Sequence, residues 1–486
     1  MRGRHPEGGR LDALRRLAAP LEPDGPRRRE MLAAAAGYAE TFLEGLGEAP
    51  AYLPGADNAA GLLAAPPEEE PSSMEQAISL VERHLEREGL NPASGRFLGY
   101  IPGGGIYHSA LGDYLAAVLN RYAGIFFVCP GAARMENMLV RLLGREIGYP
   151  RSLAGTLTSG GSLANLTALG AARDAWELGG GAASRAVIYM TSQAHHCMDK
   201  ALRVLGLAGC VRREVPVDDR LRMDPLALER LIEADRAAGL APWCVLATAG
   251  TTSTGAVDPM EAVAEVCARR EVWMHVDGAY GSLFALCEPG RRVLAGQERS
   301  DSLVLDPHKG LFLPYGTGAV LLREGARLLE SFGADADYLA SFLPEQDEHS
   351  PADLSPELTR HFRGLRLWLP LKVAGLGAFR AALEEKMLLA RYFWERIREM
   401  DGFEAGHEPQ LSVAAFRYGP ERGDPDAFND ALLQEVNRGG RAFFSSTRVD
   451  GKLVLRAAIL CFRTHREHVD EALEALAEGV ERVTGR

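Results

Sequence analysis

The sequence predicts an α/β protein: a mainly parallel central sheet flanked by helices, preceded by an N-terminal helical segment and followed by a small C-terminal α+β domain. Three observations carry that expectation. Short apolar runs (AVIYMTS, WCVLATA, VWMHVD, SLVLD) alternate with helical stretches such as PMEAVAEVCARR, and this alternation implies parallel strands joined by right-handed crossovers. The 486 residues exceed one typical domain and suffice to bury a large core. One of the runs, VWMHVD, ends in Asp277, and open α/β sheets place their ligands at the carboxyl ends of strands.

In chain order, residues 1–95 carry helical patterns, REMLAAAAGYAETFLEGL and MEQAISLVERHLEREG, separated by the Pro- and Glu-rich AAPPEEEPSS. That stretch looks too thin to bury a core alone. Residues 96–375 hold the alternating strands and helices, the expected ligand-binding domain. From 376 to 486, the end of the long helical pattern LWLPLKVAGLGAFRAALEEKMLLARYFWERI leads into LSVAAFRY, KLVLRAAILCF and a closing helix through HVDEALEALAEGVERV, the expected small domain.

The segment SDSLVLDPHKGLFLPYGTGAVLLRE sets Lys309 between two apolar runs, where an uncompensated ammonium is costly. One chemistry that removes the cost is a Schiff base, in which a desolvated amine stays neutral enough to attack an aldehyde, pyridoxal phosphate above all. Taken alone, Lys309 better suits a loop whose stem packs while its head reaches water, because lysines are mostly exposed. Thirty-two positions upstream, Asp277 at its strand end could hold a pyridinium nitrogen protonated and make the ring an electron sink; a cap or turn acid is the plainer use. His275 shares a face with Asp277 and either orients it or is a satisfied core histidine.

Further upstream, AGTLTSGGSLANLTALGAARDAWELGG joins an apolar stretch to a helix, with Ser162 placed to cap it and Gly179 to stop it. Gly160 and Gly161 let backbone approach a ligand, and the helix amino terminus offers free amides to a phosphate. A Gly-Gly-Ser turn on its own is an ordinary loop. An acid and a lysine following it in this order make it specific.

On these segments the chain resembles the group II pyridoxal-phosphate-dependent amino acid decarboxylases, the family of the aromatic-L-amino-acid, histidine and glutamate decarboxylases, over most of its length. The motifs are SGGSLAN, Gln193-Ala194-His195, His275-Val276-Asp277-Gly278-Ala279 and Asp306-Pro307-His308-Lys309. The resemblance implies the fold-type I architecture and pyridoxal 5'-phosphate as cofactor. It implies that Lys309 forms the internal aldimine, Asp277 holds the ring nitrogen and His195 stacks on the ring. Gly161 and Ser162 would bind phosphate, Ala279 would pack beneath the ring, Thr252 would face the cofactor, and Asp306 and His308 would flank it. Without those motifs, His195 reads as a surface histidine opening a helix.

The same resemblance places Tyr100, Ile101, Pro102 and Gly103, in RFLGYIPGGGIYHSALGDYL, at the substrate side-chain pocket, where a Pro-Gly turn without a ligand is the alternative. Tyr338 lies in the polar ESFGADADYLASFLPEQDEHSPADLSPEL, which reads as a mobile surface loop. The family's loop tyrosine is thought to protonate the carbon left by carbon dioxide; an exposed or partly packed loop aromatic is the alternative. The expected reaction is decarboxylation of an L-amino acid to the amine through a quinonoid intermediate, by a homodimer with active sites near the interface, across which residues 1–95 are expected to pack as a dimerisation segment. Three positions depart from the pattern: Asp306 replaces Asn, Gly310 stands where the aromatic amino acid enzymes usually carry Trp, and Gly103 replaces a polar residue. Two other readings stay open: an aldehyde synthase or carbon–carbon lyase on the same fold, and a cofactor-binding protein without turnover.

Composition agrees. Sixty-six acidic residues against 54 basic ones give a formal charge of −12, which disfavours a nucleic-acid partner. Seven scattered cysteines with no ligand spacing suit a reducing cytoplasm and argue against a metal site. No apolar signal core or bilayer-length run is present, so a cytoplasmic protein without a membrane partner is expected.

Overall fold

The computed structural model describes residues 7–55, 59–333 and 348–485. Its contacts divide the chain into two compact units, Met1–Asn91 and Pro92–Arg486.

The first unit contains the helices Gly8–Leu17, Gly25–Gly45 and Met74–Val81, and a two-stranded antiparallel ribbon of β1 (Tyr52–Leu53) and β2 (Gly89–Leu90). The Asp24 side chain caps the second helix, accepting from the Arg27 N–H, and Ser73 and Gln76 form a reciprocal capping box on the third. The stretch read as one helix from Met74 to Gly89 is shorter than expected: a π-helical turn, Glu82–Glu86, follows Val81. Of the unit's described apolar side chains, only Leu46 and Ala51 are buried, a core as thin as the sequence suggests.

The second unit is built on a seven-stranded sheet: β3 (Ala154–Thr158), β4 (Ala186–Met190), β5 (Val211–Glu214), β6 (Ala241–Thr248), β7 (Trp273–Asp277), β8 (Ser302–Leu305) and β9 (Gly318–Leu322). Their spatial order is β3-β9-β8-β7-β6-β4-β5. Five neighbours, β8 through β5, run parallel, and β9 is antiparallel to both β8 and β3. The sheet is therefore mixed but mostly parallel. Its central strands are largely apolar and buried, as in Val245, Leu246 and Ala247 of β6, whereas the edge strand β5, Val-Arg-Arg-Glu, is half-buried to exposed.

A second sheet of β10 (Phe403–Ala405), β11 (Val413–Tyr418), β12 (Ser445–Val449) and β13 (Lys452–Ala458) is antiparallel, in the order β10-β11-β13-β12. The helices Pro425–Gly439 and Arg466–Thr484 pack with it around Phe393, Phe416, Phe444 and Leu455. The long helical pattern forms Arg363–Glu399, broken at Gly375, whose φ of 76° and ψ of 152° are not helical.

Two sequence expectations at the Gly-Gly-Ser turn are corrected. The helix spans Gly161–Ala175, its N-cap is Gly160, and no side chain caps it. Gly160 adopts φ 151°, a conformation open to glycine, so the helix begins two residues earlier than a Ser162 cap allows and Ser162 lies in its first turn. At the other end the helix stops at Ala175 with Trp176 as C-cap, ahead of Gly179.

Candidate active site

The carboxyl ends of β3, β6, β7 and β8 open into one cavity of about 280 Å³. Its wall includes Ser159, Gly160, Gly161 and Ser162 after β3, Gln193 and His195 after β4, Thr248, Gly250 and Thr252 at and after β6, Asp277, Ala279 and Tyr280 at the end of β7, and Asp306, His308 and Lys309 after β8. All nine residues that the resemblance assigns to the cofactor line this cavity.

Each strand end explains its contribution. β7 finishes on Asp277, whose Oδ1 accepts the Ala279 N–H at 3.1 Å; this short turn faces the carboxylate into the cavity. β8 finishes on Leu305, and the one-turn helix Pro307–Gly310 carries Lys309 back over Asp306. Lys309 Nζ lies 3.1 Å from Asp306 Oδ2. His308 Nδ1 donates to the Thr317 carbonyl at 2.7 Å, which fixes the turn against the start of β9.

Electrostatics follow from this packing. Burial disfavours the Lys309 ammonium, but Asp306 and then Asp277 outweigh it and hold the amine above its ordinary value. That corrects the expectation of a lysine kept neutral by desolvation: an acid three residues earlier, on the same turn, supplies the missing countercharge. Burial lowers both His195 and His308, against the opposing pull of Asp277 on the first and Asp306 on the second, so both rings are neutral near pH 7. His195 Nδ1 accepts the Cys197 N–H at 3.3 Å, and this residue precedes the helix Cys197–Val204 instead of lying within it.

Asp306 is buried; its Oδ2 is taken by Lys309, whereas Oδ1 has no hydrogen-bond partner among the described residues. A Cβ built on Gly161 would come within 3.0 Å of Asp306 Oδ2 and 3.1 Å of the Ala279 Cβ. The glycine therefore keeps the floor beside the helix amino terminus open.

Of the residues expected at the substrate pocket, none lines this cavity. Ile101, Pro102 and Gly103 are buried and Tyr100 is exposed. Gly103 nevertheless abuts the lysine turn, because a Cβ there would lie 2.2 Å from the His308 carbonyl oxygen. Tyr100 has φ 50°, and its carbonyl accepts from the buried Arg456 at 2.9 Å. Tyr338 lies outside the described residues.

Sequence reading missed Asn165, Cys197 and Tyr280. Asn165 Nδ2 donates to Asp277 Oδ2 at 3.4 Å, and its Oδ1 faces His275 Nε2 at 2.8 Å. Its position one helical turn beyond Ser162, inside SGGSLAN, was the available signal. Cys197 is buried beside Asn165, and burial pushes its thiol up to about 11, which keeps it protonated. Among the described residues no group of His, Cys, Asp or Glu side chains could hold a metal ion, and no helix is long and apolar enough to cross a membrane.

A lysine, a strand-end acid, a histidine and a glycine-lined helix terminus around one cavity define an enzyme that works with a phosphorylated aldehyde cofactor. Residues 58–419 match the family model of the pyridoxal-dependent decarboxylase conserved domain. The chain is 35% identical over 417 residues to an aromatic-L-amino-acid decarboxylase of Bacillus atrophaeus, covering 84% of this chain and 86% of the relative. It is 33% identical over 441 residues to a tyrosine decarboxylase of Oryza sativa subsp. japonica, covering 85% and 83%. The crystal structure of Oryza sativa TDC with PLP and tryptamine superposes with a TM-score of 0.88 at 27% identity, over 95% of this chain and 99% of that one.

The chain belongs to the pyridoxal-dependent decarboxylase family: it is a carboxy-lyase that uses pyridoxal phosphate.

Proposed function

We propose that this cavity decarboxylates an aromatic L-amino acid to its amine, with Lys309 as the residue that captures the cofactor. The observation that carries the reading is the meeting of Lys309, Asp277 and His195 around one cavity whose far wall is the amino terminus of the helix Gly161–Ala175. Aromatic substrates are named for the relatives above, and that likeness supports the class, with Gly103 and Gly310 leaving the particular side chain open.

The residues fit the cofactor. Free N–H groups at the start of the helix, with Ser162 in its first turn, suit a phosphate dianion. Asp277 suits a cationic ring nitrogen, His195 offers a flat neutral face to the ring, and Ala279 and Thr252 complete the wall. Asp306 and His308 hold the lysine turn from below. Pyridoxal phosphate supplies an electron sink for the pair left when a carboxylate departs as carbon dioxide. Lys309 Nζ can take and return a proton at the cavity floor, with Asp306 balancing its charged form. The neutral His195 and His308 add no competing cation for the substrate carboxylate. In this reading Tyr338 protonates the α-carbon and thereby directs the outcome to amine, whereas the related aldehyde synthases carry phenylalanine there.

We further propose that two copies associate through the helix Tyr107–Leu119. It leaves Tyr107, Leu111, Tyr114, Leu115 and Val118 exposed along one side, a larger apolar stripe than a solvated helix carries. Seven free cysteines suit work in the reducing cytoplasm.

The test is carbon dioxide release from a panel of L-amino acids by the cofactor-loaded protein, with amine, aldehyde and peroxide assayed together and Lys309→Ala as control. Stoichiometric amine from an aromatic substrate, lost on the order of 10⁴-fold in Lys309→Ala, supports the reading. Aldehyde with ammonia and peroxide would overturn it in favour of an aldehyde synthase.

A further inference from the structure

We infer that Asn165 and His275 are positioning residues that present the Asp277 carboxylate as a pure acceptor to the cofactor's ring nitrogen, through a one-directional hydrogen-bond chain that begins at Trp273. The inference rests on the reading in which that nitrogen faces Asp277.

Five side chains make the chain, Trp273, Ser302, His275, Asn165 and Asp277, and the fold brings them together. His275 and Asp277 alternate onto the same face of β7. Ser302 opens β8 and is the register partner of His275. Asn165 comes from the helix Gly161–Ala175, 110 residues away from His275 in sequence. Asn165, His275 and Ser302 are all buried to 1% exposure or less.

The contacts are Asn165 Nδ2 to Asp277 Oδ2 at 3.4 Å, Asn165 Oδ1 to His275 Nε2 at 2.8 Å, His275 Nδ1 to Ser302 Oγ at 2.9 Å and Trp273 Nε1 to Ser302 Oγ at 2.8 Å. None of these polar atoms lacks a partner.

Valence then fixes every proton. An ionised carboxylate only accepts, so the Asn165 amide must turn its N–H₂ toward Asp277 and its oxygen toward His275. That oxygen needs a donor, so His275 carries its proton on Nε2. Burial pushes this histidine down to about 4, so its ring is neutral and Nδ1 accepts. The donor to Nδ1 is the Ser302 hydroxyl, and the Ser302 oxygen accepts the indole N–H of Trp273, which cannot act in reverse. Every donor points toward Asp277. With the Ala279 N–H on Oδ1, both carboxylate oxygens accept from neutral donors, so Asp277 meets a ring N–H with acceptor lone pairs.

The experiment loads the protein with pyridoxal phosphate labelled with ¹⁵N in the ring and follows the ring-nitrogen resonance against pH, with loading at Lys309 verified by borohydride trapping and peptide mass. Wild type is expected to keep the nitrogen protonated. Asn165→Ala and His275→Leu are expected to lower its protonation midpoint by about one pH unit or more, a tenfold loss of proton affinity. His275→Gln, which can still accept from Ser302 and donate to Asn165, is expected to restore it. The near-isosteric Asn165→Asp, which turns an acceptor toward Asp277, serves if the alanine variant does not fold and is expected to disturb the midpoint without emptying the site.

A midpoint unchanged in the loaded variants, or equal in His275→Leu and His275→Gln, overturns the relay and leaves the assignment of the site intact. A wild-type protein that never traps cofactor on Lys309 overturns both.

Discussion

The cavity holds two buried carboxylates with opposite surroundings. Asp277 receives neutral donors on both oxygens, from Ala279 and Asn165, and among the described residues has no cationic side chain hydrogen-bonded to it. Asp306 is bound to a resident cation, with Lys309 Nζ at 3.1 Å, and its second oxygen goes without a partner among the described residues. A carboxylate dressed by neutral donors keeps its charge available for an incoming cation; one already paired spends that charge on its neighbour. In the proposed reading the two acids divide the work, one facing the ligand and one stabilising the lysine.

The sharpest way to break this division is to neutralise each acid in turn. Asp277→Asn is expected to lower carbon dioxide release on the order of 10²–10³-fold, the usual scale for losing a preorganised electrostatic partner. Measuring turnover at saturating cofactor separates that loss from weaker loading.

His275 tests the donor side of the contrast through stability. Its folded value, about 4, lies below the unfolded histidine value. The unfolded chain therefore binds more protons between the two, and the stability due to the neutral ring is lost as pH falls from about 6.5 to 4. The limit is roughly 3 kcal/mol. Asp258, which burial pushes up to about 6, has the opposite slope in the same window. The readout is accordingly the difference in urea unfolding between wild type and His275→Gln at pH 7 and pH 5, which cancels Asp258.

Gly103→Ala probes the lysine side. Its Cβ would meet the His308 carbonyl oxygen at 2.2 Å, so the lysine turn or the Tyr100 segment must shift, at a cost of about 1–3 kcal/mol. Both the unfolding midpoint and cofactor retention on dialysis should drop.

The smallest effect belongs to Asp306→Asn. Asp306 raises the Lys309 amine, so its removal lowers that value. Each unit of fall gives about tenfold more neutral amine below the ordinary lysine range. The rate of cofactor capture at pH 7–8 should rise, and a rate that falls instead would falsify the idea that Asp306 serves only as the lysine's countercharge.

Much of this cavity was legible because its principal groups sit at strand ends. Asp277 and Lys309 close apolar runs whose period and length mark buried strands, and their direction toward a shared edge follows from the parallel arrangement. His195 needed its family motif, since nothing in its local pattern separates it from a surface histidine. Asn165 and Cys197 were hidden by distance: Asn165 reaches Asp277, and Cys197 reaches Asn165, only once two helices far from β7 in sequence settle on the same sheet. The Ser162 cap failed because a glycine at φ 151° can start a helix with no side-chain oxygen, which residue preferences alone do not reveal. The return of β9 antiparallel to β8 was equally unreadable, because an apolar run does not encode its direction. Gly375 was invisible for a similar reason: the pattern on both sides is helical, and only the backbone shows the break.

That antiparallel return bears on the order of assembly. β8 and β9 are adjacent partners, and the link between them, residues 306–317, carries Lys309. The lysine thus rides on a hairpin whose contacts are close in sequence and cost little loop entropy to form. β3, which leads into the glycine turn of the far wall, waits for β9, about 160 residues later. Lys309, the proposed anchor of the cofactor, can be in place before the wall proposed to face its phosphate closes, so nascent chains should acquire the anchor first and the enclosure last.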